Sequence, residues 1–332
     1  MLTVYTTMPS WHDRTPQEYR RRVVDVARWT EQAGFRGALI YTDNTLVDAW
    51  AAAQIAVDNT ERFVPLVAVN PLDTHPFAVA KTISTLAFLH GRQVDLNLVT
   101  GGFSKHLAEL GCELGHRERY DRLVEYGEVV RQLTAAPTAV TYTGKYYALD
   151  AATLSPPADP ALAPGLFVSG ASDDCRDAAR VLGVGRLSYP HQIDTYQGDR
   201  PLAGCGVRLG VIARDDAAEA WRTANERFPS DASGEKLHEW AVGRIESHWH
   251  LKLSRDALRS HQPNGVYWLY PFRAYRTFCP YLVGTYAEVG AMLRRYIELG
   301  VTTVILDEVV EHEDLHHTTL ALDHAYANAN AG

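Results

Sequence analysis

No two cysteines of this chain stand in a CxxC pair: Cys112, Cys175, Cys205 and Cys279 are scattered. Such spacing builds neither a disulfide framework nor a zinc ribbon, and the expected location is the reducing cytoplasm. Positive charge is also short. A net charge of −8 offers no long-range attraction to phosphate backbones or anionic lipid, which argues against nucleic-acid and membrane partners. No window approaches the ~20 apolar residues of a membrane span. The start, MLTVYTTMPSWHDR, lacks a basic segment followed by an apolar run, so export is not expected. Internal repeats and low-complexity tracts are absent too.

What is there fits a fully folded globular chain: 332 residues, 46% hydrophobic and 22% charged. Short β-type runs alternate with helical pattern, as a parallel sheet wrapped by helices requires. Eight such runs can be counted: LTVYT, GALIY, FVPLVAV, VDLNLV, GLFVSG, GRLSY, CGVRLGVIA and TTVILD. The expected fold is therefore an α/β (β/α)8 TIM barrel, residues 1–332 as one domain. The helix TPQEYRRRVVDVARWTEQAG has Thr15 as cap, Pro16 at its first position and Gly34 as stop, and YAEVGAMLRRYIELG repeats the design with Gly300. Two segments break the rhythm. AATLSPPADPALAPG from Ala151 is too rich in proline for either element and is expected as an ordered loop or edge excursion. Residues 217–282 far exceed a crossover helix and are expected as one or two extra helices plus a lid-like loop.

In such barrels the loops at the C-terminal ends of the strands build the active site. DLNLVTGG places Asn97 inside a core strand and ends it in Thr100, Gly101 and Gly102, where bare backbone lets a planar ligand approach; a tight turn needing glycine dihedrals is the competing account. LFVSGASDDCRDAARVLG runs from a strand through Gly170, Ala171 and Ser172 into a helix, whose unpaired amides and dipole attract an anion. Ser172 there either caps the helix or holds a phosphate. LGHRERYDRLVEYGEVVRQL brings His116, Arg119 and Tyr120 to another helix start, although Tyr120 and Glu128 are equally readable as surface residues.

Taken with GALIYTDNTLVDAW, YTGKYYAL, GVRLGVIARDDAAEAW and LVGTYAEVGAMLRRYIELGVTTVIL, these segments resemble the bacterial luciferase-like flavin monooxygenases, closest to alkanesulfonate monooxygenase, from about Gly37 to Leu306. The resemblance implies a barrel that binds reduced FMN, supplied by a separate NAD(P)H-dependent flavin reductase, and uses it with oxygen on a small molecule. It further implies a homodimer or homotetramer. By position, Asn97, His116 and Tyr120 would contact the flavin and its ribityl chain, Gly170, Ala171 and Ser172 its phosphate, with Thr100 and Gly101 nearby.

The departures are as informative. Leu46 stands where the sulfonate enzymes have a cysteine, Gly210 where they have a histidine, and valines near Val309 and Val310 where they have a tyrosine, while Arg208 matches. Simple alkanesulfonates are therefore not the expected substrate; a larger or more apolar one is, with His12, Arg208 and Arg273 or Arg276 as polar contacts and His12, Arg208 and Arg276 as the catalytic candidates. HEDLHH from His312 to His317 contains HExxH, a zinc-hydrolase pattern, but the chain beyond His317 offers His324 without a glutamate or glycine spacer. No metal is expected. His248 and His250 diverge on a helix but share a face on a strand, and Trp240, Trp249, Tyr267, Trp268 and Tyr270 read first as packing, with several expected to roof the pocket. A deazaflavin-dependent oxidoreductase and a non-catalytic flavin-binding barrel are the remaining alternatives.

Overall fold

The computed structural model describes residues 2–135, 137–242, 253–254 and 265–327. Along the chain come β1 (Thr3–Thr7), α1 (Pro16–Gln32), β2 (Gly37–Ile40), α2 (Ala49–Asp58), β3 (Leu66–Val69), α3 (Pro76–His90), β4 (Asp95–Leu98), α4 (Ser104–Glu109) and α5 (His116–Ala135). A hairpin of β5 (Val140–Thr143) and β6 (Ala148–Ala152) precedes β7 (Leu166–Ser169), α6 (Asp173–Leu182), β8 (Gly185–Ser188), β9 (Gly206–Arg214), α7 (Ala217–Arg227) and α8 (Ala232–Val242). β10 (Tyr267–Trp268), α9 (Tyr270–Arg273), β11 (Tyr281–Thr285), α10 (Tyr286–Glu298), β12 (Thr303–Leu306) and α11 (His312–Ala327) complete it. The parallel strands β1, β2, β3, β4, β7, β8, β9 and β12 follow one another in the order of a (β/α)8 barrel, with α-helices between them except from β8 to β9, where only the 3-10 turn Ile193–Thr195 intervenes.

The chain divides into two compact units. In the unit of residues 8–31 and 36–187, β2, β3, β4, β7 and β8 pair in parallel, and β5 pairs antiparallel with β6. GALI, LVAV and DLNL are buried at every position, the near-continuous apolar reading of strands covered on both faces. Their core includes Val67, Leu96, Leu98, Leu123, Tyr126 and Val168. α1 starts as expected: Thr15 Oγ1 accepts from the Glu18 amide at 3.3 Å while the Glu18 carboxylate accepts from the Thr15 amide at 2.8 Å.

In the other unit, which holds residues 1–7, 32–35 and 188–332, β1, β12, β9 and β11 pair in parallel in that order, and β10 lies antiparallel on β11. β9 is long enough to serve two partners, β12 along Gly206–Leu209 and β11 along Gly210–Arg214. The segment 217–282 thus contributes sheet as well as helix, because Tyr281, Leu282 and Val283 form a run too short for periodicity to separate from its surroundings. YTGKYYAL forms the turn and flanks of the β5–β6 hairpin, and the proline-rich stretch begins inside β6. The expectations placed on His248, Trp249 and His250 lie outside the described residues.

Candidate functional site

Asn97 is buried in β4, and its Oδ1 accepts a hydrogen bond from Ser169 Oγ, the last residue of neighbouring β7, at 2.7 Å. That bond is the reason an amide is tolerated in a core strand. The Ser169 carbonyl in turn accepts from the Tyr120 hydroxyl at 3.3 Å. Tyr120 is not a surface residue: it is buried beneath the loop, with the Thr100 and Ser172 side chains near its hydroxyl. Burial, reinforced by Cys175, pushes that hydroxyl far above the ordinary tyrosine value, so it stays a proton donor. Over it passes Gly170 at φ +141°, where an added Cβ would lie 2.7 Å from the Tyr120 oxygen and 3.1 Å from Cys175 Sγ. Only glycine fits. Gly101 makes the corresponding left-handed turn after β4 at φ +81°.

The α6 start is built for charge. Ser172 caps it, its Oγ accepting from the Cys175 amide at 3.2 Å. Asp173 and Asp174 occupy the first turn, where the dipole favours carboxylates, and each is answered by cations. His116 Nδ1 meets Asp174 at 2.6 Å, Arg117 approaches Asp174 and Asp177 at 3.3 Å each, and Arg176 pairs with Asp173. Arg176 also donates to the Ala171 carbonyl at 3.0 Å. The carboxylates are thereby offset at the rim. Asn97, Thr100, His116, Tyr120, Gly170, Ala171 and Ser172 form one cluster within one unit.

The second cluster lies in the other unit. Arg208 projects from β9, its side chain 13% exposed, and pairs with Asp307 at the end of β12. Arg208 Nη1 donates to the Tyr189 hydroxyl at 3.2 Å. Asp307 Oδ2 accepts from Thr277 Oγ1 at 2.5 Å and from the Tyr281 hydroxyl at 2.9 Å. Burial opposes ionisation of Asp307, but Arg208, Thr277 and Tyr281 outweigh it and hold its carboxyl below the usual range. The Gly210 position is not empty, as its sequence suggests: a Cβ there would lie 2.2 Å from the Tyr281 ring, which fills the space. Sequence reasoning missed Tyr189, Thr277, Tyr281 and Asp307. Only Asp307, an acid closing the apolar run TTVIL, gave a visible signal.

The other candidates are placed apart from these clusters' hydrogen bonds. His12 is exposed, its Nδ1 2.5 Å from Ser10 Oγ and its ring stacked on Trp11. Arg276 is 53% exposed and pairs with Asp231 at 2.6 Å, and Arg273 pairs with Glu235 at 3.4 Å, so both cations of YPFRAYRTF are engaged by acids of their own unit. His312 and His316 begin α11, where Asp314 accepts from the Val310 and Glu311 amides, and His317 bonds the Tyr286 hydroxyl at 2.7 Å. Among the described residues no group of three His, Cys, Asp or Glu side chains is placed to hold a metal, and no helix is long and apolar enough to cross a membrane.

Comparison with known proteins gives the context. The family of luciferase-like monooxygenases matches residues 1–303. The Niallia circulans monooxygenase BtrO, named for 4-(gamma-L-glutamylamino)butanoyl-[BtrI acyl-carrier protein], is 30% identical over 313 residues, 92% of each chain. Among solved structures, an EDTA monooxygenase from Chelativorans sp. BNC1 aligns with TM-score 0.72 and 14% identity over 98% of this chain and 94% of its own. Monooxygenase RslO1 from Streptomyces bottropensis aligns with TM-score 0.67 and 15% identity over 100% of both. At such identities the solved structures speak for the fold, the α/β TIM barrel. The family match and the sequence relative speak for more: the chain belongs to the luciferase-like monooxygenase family and is a monooxygenase.

Proposed function

We propose that the chain is a two-component, FMN-dependent monooxygenase that receives reduced FMN from a separate NAD(P)H-dependent flavin reductase and oxygenates a small organic substrate. The observation that carries this reading is the cradle at Gly170, where missing side-chain volume, a protonated Tyr120 hydroxyl and the capped α6 start occur together. These residues fit an FMN phosphate. Ala171, Ser172 and the first amides of α6 would hold it, with His116 and the cations Arg117 and Arg176 offsetting charge, and Asn97 and Tyr120 would meet the flavin and its ribityl chain. Reduced flavin supplies two electrons, with which one atom of O2 enters the substrate and the other leaves as water.

The protein's own part is binding, orientation and exclusion of water. Tyr120 donates without losing its proton, Asp174 fixes the His116 ring through Nδ1, and the segment 217–282 serves as a lid once substrate is present. Kinship with alkanesulfonate monooxygenase lies, in this reading, in the flavin-binding segments and not in the substrate site. A larger, less polar molecule is the substrate class, and acyl groups on a carrier protein, as in the Niallia circulans relative, are the first to screen. The protein works in the cytoplasm as a homodimer or homotetramer.

FMN titration of wild type and Ser172→Asp tests the cofactor site: a carboxylate placed against the phosphate should weaken binding at least tenfold. Unchanged affinity removes the α6 start from the site. Oxygen uptake with reduced FMN, read by the gain of one oxygen in the product, tests the reaction, and sulfite release from a simple alkanesulfonate at enzymatic rates would refute the substrate reading.

A further inference from the structure

Asp307 sits directly after the apolar strand Thr303–Leu306, and it is buried. A carboxylate so placed would normally take up a proton. Three donors from separate parts of the unit keep it ionised instead: Arg208 of β9, Thr277 of the loop before β11 and Tyr281 of β11. The Tyr189 ring lies 5.7 Å from the Arg208 guanidinium carbon and its hydroxyl accepts from Nη1, so the cation is wrapped on two sides. One negative charge faces one positive charge. A sulfonate, phosphate or carboxylate arriving at Arg208 would bring a second negative charge against Asp307 where dielectric screening is weak.

Gly210 is tied to the same arrangement. Its missing Cβ admits the Tyr281 ring, and that ring delivers the hydroxyl to Asp307 at 2.9 Å. The strand position that resemblance alone would leave vacant is thus filled by a residue that fastens the internal carboxylate.

We propose that Asp307 is a specificity-determining residue: it occupies the anion seat of Arg208 from inside the protein, so that this cluster accepts a neutral, hydrogen-bonding substrate group and rejects an anionic one. The proposal rests on the monooxygenase reading for its substrate. Arg208 then acts as a fixed donor, oriented by Asp307, and not as a counter-ion.

The test is anion rescue of folding stability, measured by thermal melts of the flavin-free full chain with formate, acetate or methanesulfonate against chloride at equal ionic strength. Asp307→Ala leaves the Arg208 charge beside a carboxylate-sized gap. Its melting temperature should fall by several degrees and rise again with formate in a saturable way, with half the effect in the millimolar range. Wild type should respond to none of the probes beyond chloride. Adding Arg208→Gln to Asp307→Ala should abolish the rescue. Should Asp307→Ala fail to fold, Asp307→Ser keeps a polar atom at the site while still opening space beside Arg208, and should show the same gain. A saturable wild-type response that survives in Ser172→Asp, where the α6 start cannot answer, and disappears in Arg208→Gln would overturn the proposal, as would Asp307 variants with no anion response. FMN titration of the same proteins separates the two readings: loss of the cofactor reading appears as no FMN binding by wild type, whatever the anions do.

Discussion

The cluster around Gly170 and the cluster around Asp307 handle charge in opposite ways. At Gly170 the hydroxyls, bare backbone and capped helix of residues 169–175 face a rim where each carboxylate is offset by a partly exposed cation. At Asp307 both charges are sealed together, and every donor is internal. The difference teaches what each can receive. Partly solvated pairs can exchange partners with an arriving phosphate at small cost, whereas a buried pair cannot release one member without stranding the other.

Breaking the sealed pair should have the largest effect. Arg208→Leu leaves Asp307 buried without its cation and should cost about 3–5 kcal/mol in urea or thermal unfolding. Arg208→Leu combined with Asp307→Leu removes both charges and should recover most of that loss. If the single and double variants are equally unstable, the cluster is held by packing and not by its charges.

Gly210→Ala attacks the same cluster by volume, forcing a methyl against the Tyr281 ring, and should cost about 1–3 kcal/mol by overpacking. Gly170→Ala is the counterpart in the other cluster. Its φ of +141° is one a side chain rarely adopts, and the methyl would press on Tyr120, so about 1–3 kcal/mol of strain is expected. Here the readout should separate the two regions: Gly170→Ala weakens FMN binding at least tenfold, while Gly210→Ala leaves FMN affinity near wild type.

The two clusters were also unequally legible. Asn97, Thr100, Gly170 and Ser172 sit within a few residues of strand ends, in glycine and hydroxyl patterns that reflect local backbone needs, so their segments can be found in a sequence and the eight-strand rhythm with them. Tyr189, Arg208, Thr277, Tyr281 and Asp307 come together across as many as 118 positions, through the pairing of β9 with β11 and β12. No local pattern encodes that meeting. Gly210 shows the cost of reading position by position: alone it suggests a vacancy, and only the register Tyr281↔Gly210 reveals what fills it.

Proton linkage sharpens the contrast further. The lowered Asp307 value means that its contribution is present above the unfolded carboxylate value, near pH 4, and is lost as pH falls through the folded one. Cys279 moves the other way: burial, then Asp307, push its thiol up, so stability falls as pH rises past the unfolded thiol value of about 8.5. Stability against pH should therefore form a plateau between these limits. In Arg208→Leu/Asp307→Leu the acid limb should flatten, and an unchanged acid limb would assign it to other carboxylates.

The smallest effect on stability is expected at the segment proposed as a lid. Arg276 is half exposed and its partner Asp231 partly so, which leaves the pair open to screening by solvent, and Arg276→Ala should leave the melting midpoint within error. That insensitivity makes the variant useful. If the segment closes over reduced flavin, Arg276 must leave Asp231 for an anionic or polar group of the closed state, and its loss should raise the fraction of oxygen released as hydrogen peroxide during coupled turnover. Arg273, less exposed and stacked against Tyr270, should show the same direction with some loss of stability. Unchanged coupling in both variants, together with equal proteolysis of the segment with and without FMN and substrate, would make 217–282 a fixed decoration and leave the exclusion of water to the rest of the fold.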